Sequence, residues 1–223
     1  MAAPFVAVVD YHKGNLLSVE RGLAAAGASV RVTDDPATVA AAGAVVVPGV
    51  GAFADAMGSL AQLGLDEAVV AAVRAGRPLL GICLGMQLLF ERGNEQAQAP
   101  VPGADEVWTA GLGLLPGTVE RLSGEGVKVP HVGWNAADYT SAGARCPLFC
   151  GLPDATYYYF THSYACVPTD TSCAAATTGH GTRFVSAVWD GGLVFGTQFH
   201  PEKSSGAGQA LLRNFVNVVE GTL

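Results

Sequence analysis

Three short runs early in the chain are apolar on consecutive positions: "FVAVVD" (5–10), "AVVVPG" (44–49) and "RPLLGIC" (77–83). A strand with one wet face alternates apolar and polar residues. An unbroken apolar run needs cover on both faces, which is the condition of a parallel sheet wrapped by helices. "SVRVT" (29–33) reads as another strand. Helix-like runs lie between them. "GNLLSVERGLAAAG" (14–27) offers Asn15 as a cap and Gly27 as a stop. "DEAVVAAVRAG" (66–76) has acids first and an arginine late, as the macrodipole prefers. "LGMQLLFERG" (84–93) reads as one more helix.

From about residue 94 to 200 the pattern changes to strands and turns without a long helix. "RFVSAVWDGGLVFGTQF" (183–199) reads as a hairpin about its Asp-Gly-Gly turn. Helical spacing returns at Leu211, Leu212, Phe215, Val218 and Val219. The expectation is therefore α/β, a doubly wound and mostly parallel sheet with added antiparallel strands, in a single domain spanning 1–223. The segment 91–107 reads as a surface loop, and Tyr157 and Tyr158 as part of a half-buried strand with aromatic packing.

Charged residues make up 14% of the chain, against about 25% in an average globular protein, which suits a sheet covered on both sides. The net charge of −7 gives no basic footprint, so neither nucleic acid nor an anionic membrane is an expected partner. No apolar run approaches the roughly 18–20 residues that span a bilayer. "MAAPFVAVVDYHKG" has no basic start, and five cysteines is an odd count, which reads as reduced thiols in a cytoplasmic protein. Cys146, Cys150, Cys166 and Cys173 lack the tight pairing of structural zinc, so no metal is expected.

The fifth cysteine lies in Gly81-Ile82-Cys83-Leu84-Gly85, the spacing of a nucleophile elbow with cysteine in place of serine. A strand turning sharply into a helix strains its middle residue and demands small neighbours. The thiol would then lie over a helix N-terminus, which favours thiolate. The Leu84 amide would point at an oxyanion. A free cysteine can also be a buried small hydrophobe, and the pentapeptide alone leaves that open.

A thiol nucleophile needs a base. In "FHPEK", proline is expected to hold an extended conformation, so that His200 and Glu202 project to one side and the carboxylate orients the imidazole. His131 and His162 compete for the base role but have no carboxylate two positions on. "VPGVGAF" (47–53) has Ala54 where a third dinucleotide-binding glycine would fall, which disfavours a nucleotide cofactor. Its bared amides at Val50 or Gly51 could complete an oxyanion hole, or the turn could bind nothing.

"PGVGAF", "GICLGMQLLFE" and "FHPEKS", in this order, resemble the class I glutamine amidotransferases. "DYHKGNLLSV", "KVPHVGWN" and "YYYFTHSYACV" are similar to the glutaminase subunits of imidazole glycerol phosphate synthase. The resemblance spans nearly the whole chain. It implies that Cys83 attacks the side-chain amide of L-glutamine, forming a glutamyl thioester and releasing ammonia. His200 would take and return the proton, and Glu202 would orient His200. Gln87, Glu95, Ser163 and Tyr164 would bind substrate. No cofactor is implied. The implied partner is a cyclase subunit of (β/α)₈ barrel fold that uses the ammonia to make imidazole glycerol phosphate in histidine biosynthesis. Asn15, His131, Trp134, Asn135, Tyr159 and Lys203 would face it. A turn at Gly49–Gly51 that flips an amide into place on partner loading would act as a switch. The alternatives are a glutaminase serving another acceptor, and a stand-alone cysteine hydrolase.

Overall fold

A computed structural model describes residues 4–12, 14–96, 107–124 and 126–223. The first part runs β1 (Val6–Val9), α1 (Leu16–Ala25), β2 (Val30–Thr33), α2 (Pro36–Ala40) and β3 (Ala44–Val47). Then come α3 (Phe53–Leu63), α4 (Leu65–Arg74), β4 (Leu79–Ile82), α5 (Leu84–Leu88) and β5 (Phe90–Gly93). The strand-rich part follows: β6 (Thr109–Ala110), β7 (Leu115–Arg121), β8 (His131–Tyr139), β9 (Thr156–His162) and β10 (Tyr164–Pro168). It closes with β11 (Ala174–His180), β12 (Thr182–Trp189), β13 (Val194–Thr197) and α6 (Ser205–Glu220).

Strands β2, β1, β3, β4 and β13 lie side by side and parallel. Beyond them β12 pairs antiparallel with β13, and the sheet continues through β10, β7, β5 and β6. A branch of β11, β8 and β9 extends from β12. The consecutive apolar residues are explained by two cores. Val6 and Val8 pack on one face with Leu23 of α1 and Leu211 and Phe215 of α6. Ala7 and Val9 pack on the other with Leu60 of α3 and Val69 of α4.

Several expected elements take other forms. The helix expected over 84–93 stops at Leu88, and Phe90–Gly93 is a strand paired with β7. Of the segment 91–107, residues 97–106 lie outside those described. Helix α2 carries signals that local inspection can find: Asp35 accepts from the Ala37 and Thr38 amides, and Pro36 starts the turn. Helix α3 has no such signal, because Ala52 at its N-cap offers no side-chain acceptor. Among the described residues, no single helix is long and apolar enough to cross a membrane.

Candidate active site

Strand β4 runs straight into α5, and Cys83 at the junction has φ of 55°, the left-handed region in which a side chain is strained. The Cys83 amide donates to Thr197 O at 2.7 Å, which ties the elbow to the end of β13. Both glycines of the pentapeptide are sterically required. A Cβ on Gly81 would sit 2.6 Å from Gly85 O, and one on Gly85 would collide with Val47 O. The second glycine-rich turn packs just as closely. A Cβ on Gly49 would strike the Tyr11 hydroxyl, which is buried and donates to Pro48 O at 2.7 Å. Helix α5 has five residues, too few for a strong macrodipole, so local donors carry more of the electrostatics at the sulfur.

His200 and Glu202 follow β13. Proline does not hold this stretch extended as expected, because Pro201–Lys203 forms one turn of 3₁₀-helix. The fixed φ of proline suits the first position of a helical turn equally well. The two side chains still meet: His200 Nδ1 lies 2.8 Å from Glu202 Oε1, at 3% and 2% exposure. The backbone beneath them is pinned. The His200 amide donates to Tyr159 O at 2.9 Å, and the Ser204 hydroxyl donates to His200 O at 2.6 Å. Burial alone would depress the His200 pKa, but the neighbouring Cys83 sulfur and the Glu202 carboxylate raise it to about 9. No direct sulfur–imidazole hydrogen bond forms, and His200 Nε2 is buried without a partner among the described residues. The sulfur instead lies 3.8 Å from Thr161 O and accepts from Gln198 Nε2 at 3.6 Å.

A cavity of about 270 Å³ opens over the sulfur. Its lining includes every oxyanion and substrate position anticipated from the sequence: Val50, Gly51, Leu84, Gln87, Glu95, Ser163 and Tyr164. That size is at the low end for ligand pockets and suits something as small as an amino acid. Gln87, which could have faced solvent, is 3% exposed and donates to Tyr164 O at 2.9 Å and Gln198 Oε1 at 3.0 Å. Burial raises the Glu95 pKa, partly offset by the Phe53 amide that donates to it at 3.2 Å.

The class-I glutamine amidotransferase family model matches residues 7–219. The chain belongs to that family. The HisH subunit of imidazole glycerol phosphate synthase from Moorella thermoacetica is 48% identical over 96% of this chain and 95% of its own. That of Synechococcus elongatus is 45% identical over 98% and 95%. The HisH group within the class-I amidotransferases is therefore where this sequence lies. Among solved structures, PurLQS from Thermotoga maritima aligns with a TM-score of 0.72 at 18% identity, covering 96% of this chain and 98% of that one. The glutaminase domain of Trypanosoma brucei CTPS aligns at 0.65 and 14%, covering 99% and 95%. These two likenesses show the amidotransferase fold.

The positions expected to face an amidotransferase partner divide. Trp134 is 51% exposed, and its ring meets Tyr159 edge-on at 6.2 Å. Asn15 is exposed and caps α1 through the Ser18 amide, while Asn135 and Lys203 are partly exposed. His131 does not reach the surface. It is 3% exposed, because the register of β8 on β9 sets it opposite His162 and turns both rings inward against Phe160 and Phe184. Tyr158 is fully buried on Phe199, with ring centroids 4.0 Å apart, and Tyr157 is 61% exposed, the alternation of a strand with one face buried. All five cysteines are free, and no metal-binding cluster occurs among the described residues. Two residues at the sulfur were not anticipated, Thr161 and Gln198, nor was Tyr11 beneath the Pro48–Gly49 turn. Gln198 lies inside the run "GTQFHPEKS", two positions before the histidine.

Proposed function

We propose that this protein hydrolyses glutamine to glutamate and ammonia through Cys83, His200 and Glu202, and hands the ammonia to the cyclase subunit of imidazole glycerol phosphate synthase. The observation that carries the reading is the buried His200–Glu202 pair beside a strained cysteine that opens into an amino-acid-sized cavity.

The Cys83 thiol gives its proton to His200 Nε2, and the sulfur attacks the side-chain carbonyl carbon of glutamine. The oxyanion that forms is met by the Leu84 amide and by Val50 or Gly51, and losing one such donor typically costs about 10²–10³ in rate. His200, held through Nδ1 by Glu202, presents Nε2 to the reacting atoms. It protonates the amide nitrogen as the carbon–nitrogen bond breaks, and ammonia leaves. A water, deprotonated by the same Nε2, attacks the thioester carbonyl, and glutamate departs with the thiol restored. Gln87, Glu95, Ser163 and Tyr164 hold the amino-acid end.

Ammonia released into water is protonated and lost as a nucleophile, so the acceptor site must close over the elbow. The hairpin of β8 and β9 is the natural seat. Val132 and Trp134 are 56% and 51% exposed on it, and Thr161 of the same hairpin touches the sulfur. An aromatic and an aliphatic side chain left in water beside a catalytic cavity suit an interface core. Asn15, Asn135, Tyr159 and Lys203 would complete the rim. The whole of 1–223 acts as one domain on this reading, and five free cysteines suit the reducing cytoplasm.

The test is product formation by the reconstituted pair. With cyclase and its nucleotide substrate, the protein should support imidazole glycerol phosphate synthesis from glutamine, while cyclase alone should need ammonium salts. Glutamine-dependent synthesis that never exceeds the cyclase-alone rate would remove the proposal.

A further inference from the structure

Gln198 is fully buried and pinned on both sides: its amide donates to Ser186 O at 2.9 Å, and the preceding Thr197 accepts from the Cys83 amide. Its side chain bridges two residues of the site. Nε2 donates to the Cys83 sulfur at 3.6 Å, and Oε1 accepts from Gln87 Nε2 at 3.0 Å.

The direction of this bridge is forced by groups that cannot reverse. Tyr164 O is a backbone carbonyl and only accepts. It lies 2.9 Å from Gln87 Nε2 and 2.8 Å from His162 Nδ1, so both must donate. With one Gln87 hydrogen used there, the other points at Gln198, which must answer with Oε1. Its Nε2 is then left for the sulfur. On the other branch, burial holds His162 and His131 neutral, with pKa lowered to about 3 and about 4. His162 Nδ1 carries the hydrogen, so its Nε2 is bare and accepts from His131 Nδ1 at 3.0 Å. His131 Nε2 is bare in turn and faces Asn135 Nδ2 at 3.3 Å, whose other hydrogen goes to Gly179 O at 2.9 Å. Two backbone carbonyls, at Tyr164 and Gly179, thus fix the tautomers and amide orientations between them.

We infer that Gln198 is a further catalytic residue of this site, donating to the Cys83 sulfur while it holds Gln87 in place, and that the Tyr164 carbonyl sets the hydrogen-bonding direction of both this bridge and the His131–His162 pair. A donor to sulfur is worth most when the sulfur is an anion, since hydrogen bonds to charged groups are the stronger ones. Gln87, with both amide hydrogens committed, offers the cavity an acceptor only. The inference rests on Cys83 being the nucleophile. It deepens the proposed function without requiring that glutamine be the substrate.

The experiment is alkylation of Cys83 by iodoacetamide across pH, which reads the sulfur whatever the substrate is. Gln198→Leu should alkylate about tenfold more slowly than wild type near neutral pH, the size expected for one lost charge-assisted bond, and the deficit should close as pH rises. Loss of packing alone would not produce a deficit that vanishes at high pH. Gln198→Met, which fills similar volume, should behave the same way. Equal rates and equal pH profiles in folded variants would overturn the role of Gln198. A measurement on the unaltered protein stands beside it. The ¹⁵N shifts of His131 and His162 should report a hydrogen on Nδ1 in both rings, and an Nε2-protonated ring at either position would overturn the direction set by the Tyr164 carbonyl. Should alkylation respond as expected while glutamine is not turned over, the network stands and the substrate assignment falls.

Discussion

His200 Nδ1 stands 2.8 Å from Glu202 Oε1, and neither side chain is more than 3% exposed. The carboxylate fixes which nitrogen carries the hydrogen and compensates the charge on the ring. Glu202→Gln keeps the shape and removes the charge. It should lower kcat for glutamine by about 10²–10⁴-fold, by analogy with carboxylate-to-amide changes in other triads. KM should change little, because Glu202 does not line the cavity. Steady-state kinetics with the cyclase present checks this.

The raised pKa of His200, about 9, has two pH consequences. A histidine in an unfolded chain titrates near 6.5. Between those values the folded protein holds a proton that the unfolded chain has released. The stabilisation is therefore complete below about pH 6.5 and is lost as pH rises through about 9. Urea midpoints should fall over that window in wild type and fall less in His200→Gln. The rate of ammonia release should also drop above about pH 9, as the proton needed by the leaving group disappears.

The buried histidine pair predicts the opposite slope in acid. His131 and His162, lowered to about 4 and about 3, refuse protons that the unfolded chain accepts below about pH 6.5. Their contribution is present above that pH and is lost as pH falls from about 6.5 toward 4, an effect on the order of a few kcal/mol. Thermal melts should show a steep acid decline in wild type. The decline should be shallower in His131→Phe, which keeps an aromatic ring on Phe160 but has nothing to protonate.

Two glycine substitutions should diverge in sign. In Gly85→Ala the new Cβ strikes the carbonyl of Val47, and backbone cannot swing aside as a side chain can. A loss of about 1–3 kcal/mol or more is expected, with the elbow displaced. In Gly58→Ala, on the exposed face of α3, the Cβ meets nothing within 4 Å. Helix propensity alone should then stabilise the protein by about 0.5–1 kcal/mol. Denaturation midpoints of the two variants check both signs.

What was legible in the sequence is what is local. The parallel strands announced themselves because both of their faces are buried. The elbow and the His-Pro-Glu run are each a few residues long and carry their own steric logic. Helix α3 escaped notice because Ala52 provides no capping signal. Phe90–Gly93 reads as a continuation of a helix until its pairing with β7 is known. The remaining misses depend on distant partners. His131 is inside because β9 lies opposite it, and Gln198 reaches Cys83 across 115 positions of sequence. No pattern within either stretch encodes those meetings.

Cys83→Ala removes the sulfur and leaves the cavity, His200 and Glu202 in place. Glutamine-to-glutamate turnover by this variant, measured with cyclase and its nucleotide substrate present, should fall by at least about 10³-fold against wild type. Turnover within tenfold of wild type would contradict the assignment of Cys83 as the nucleophile.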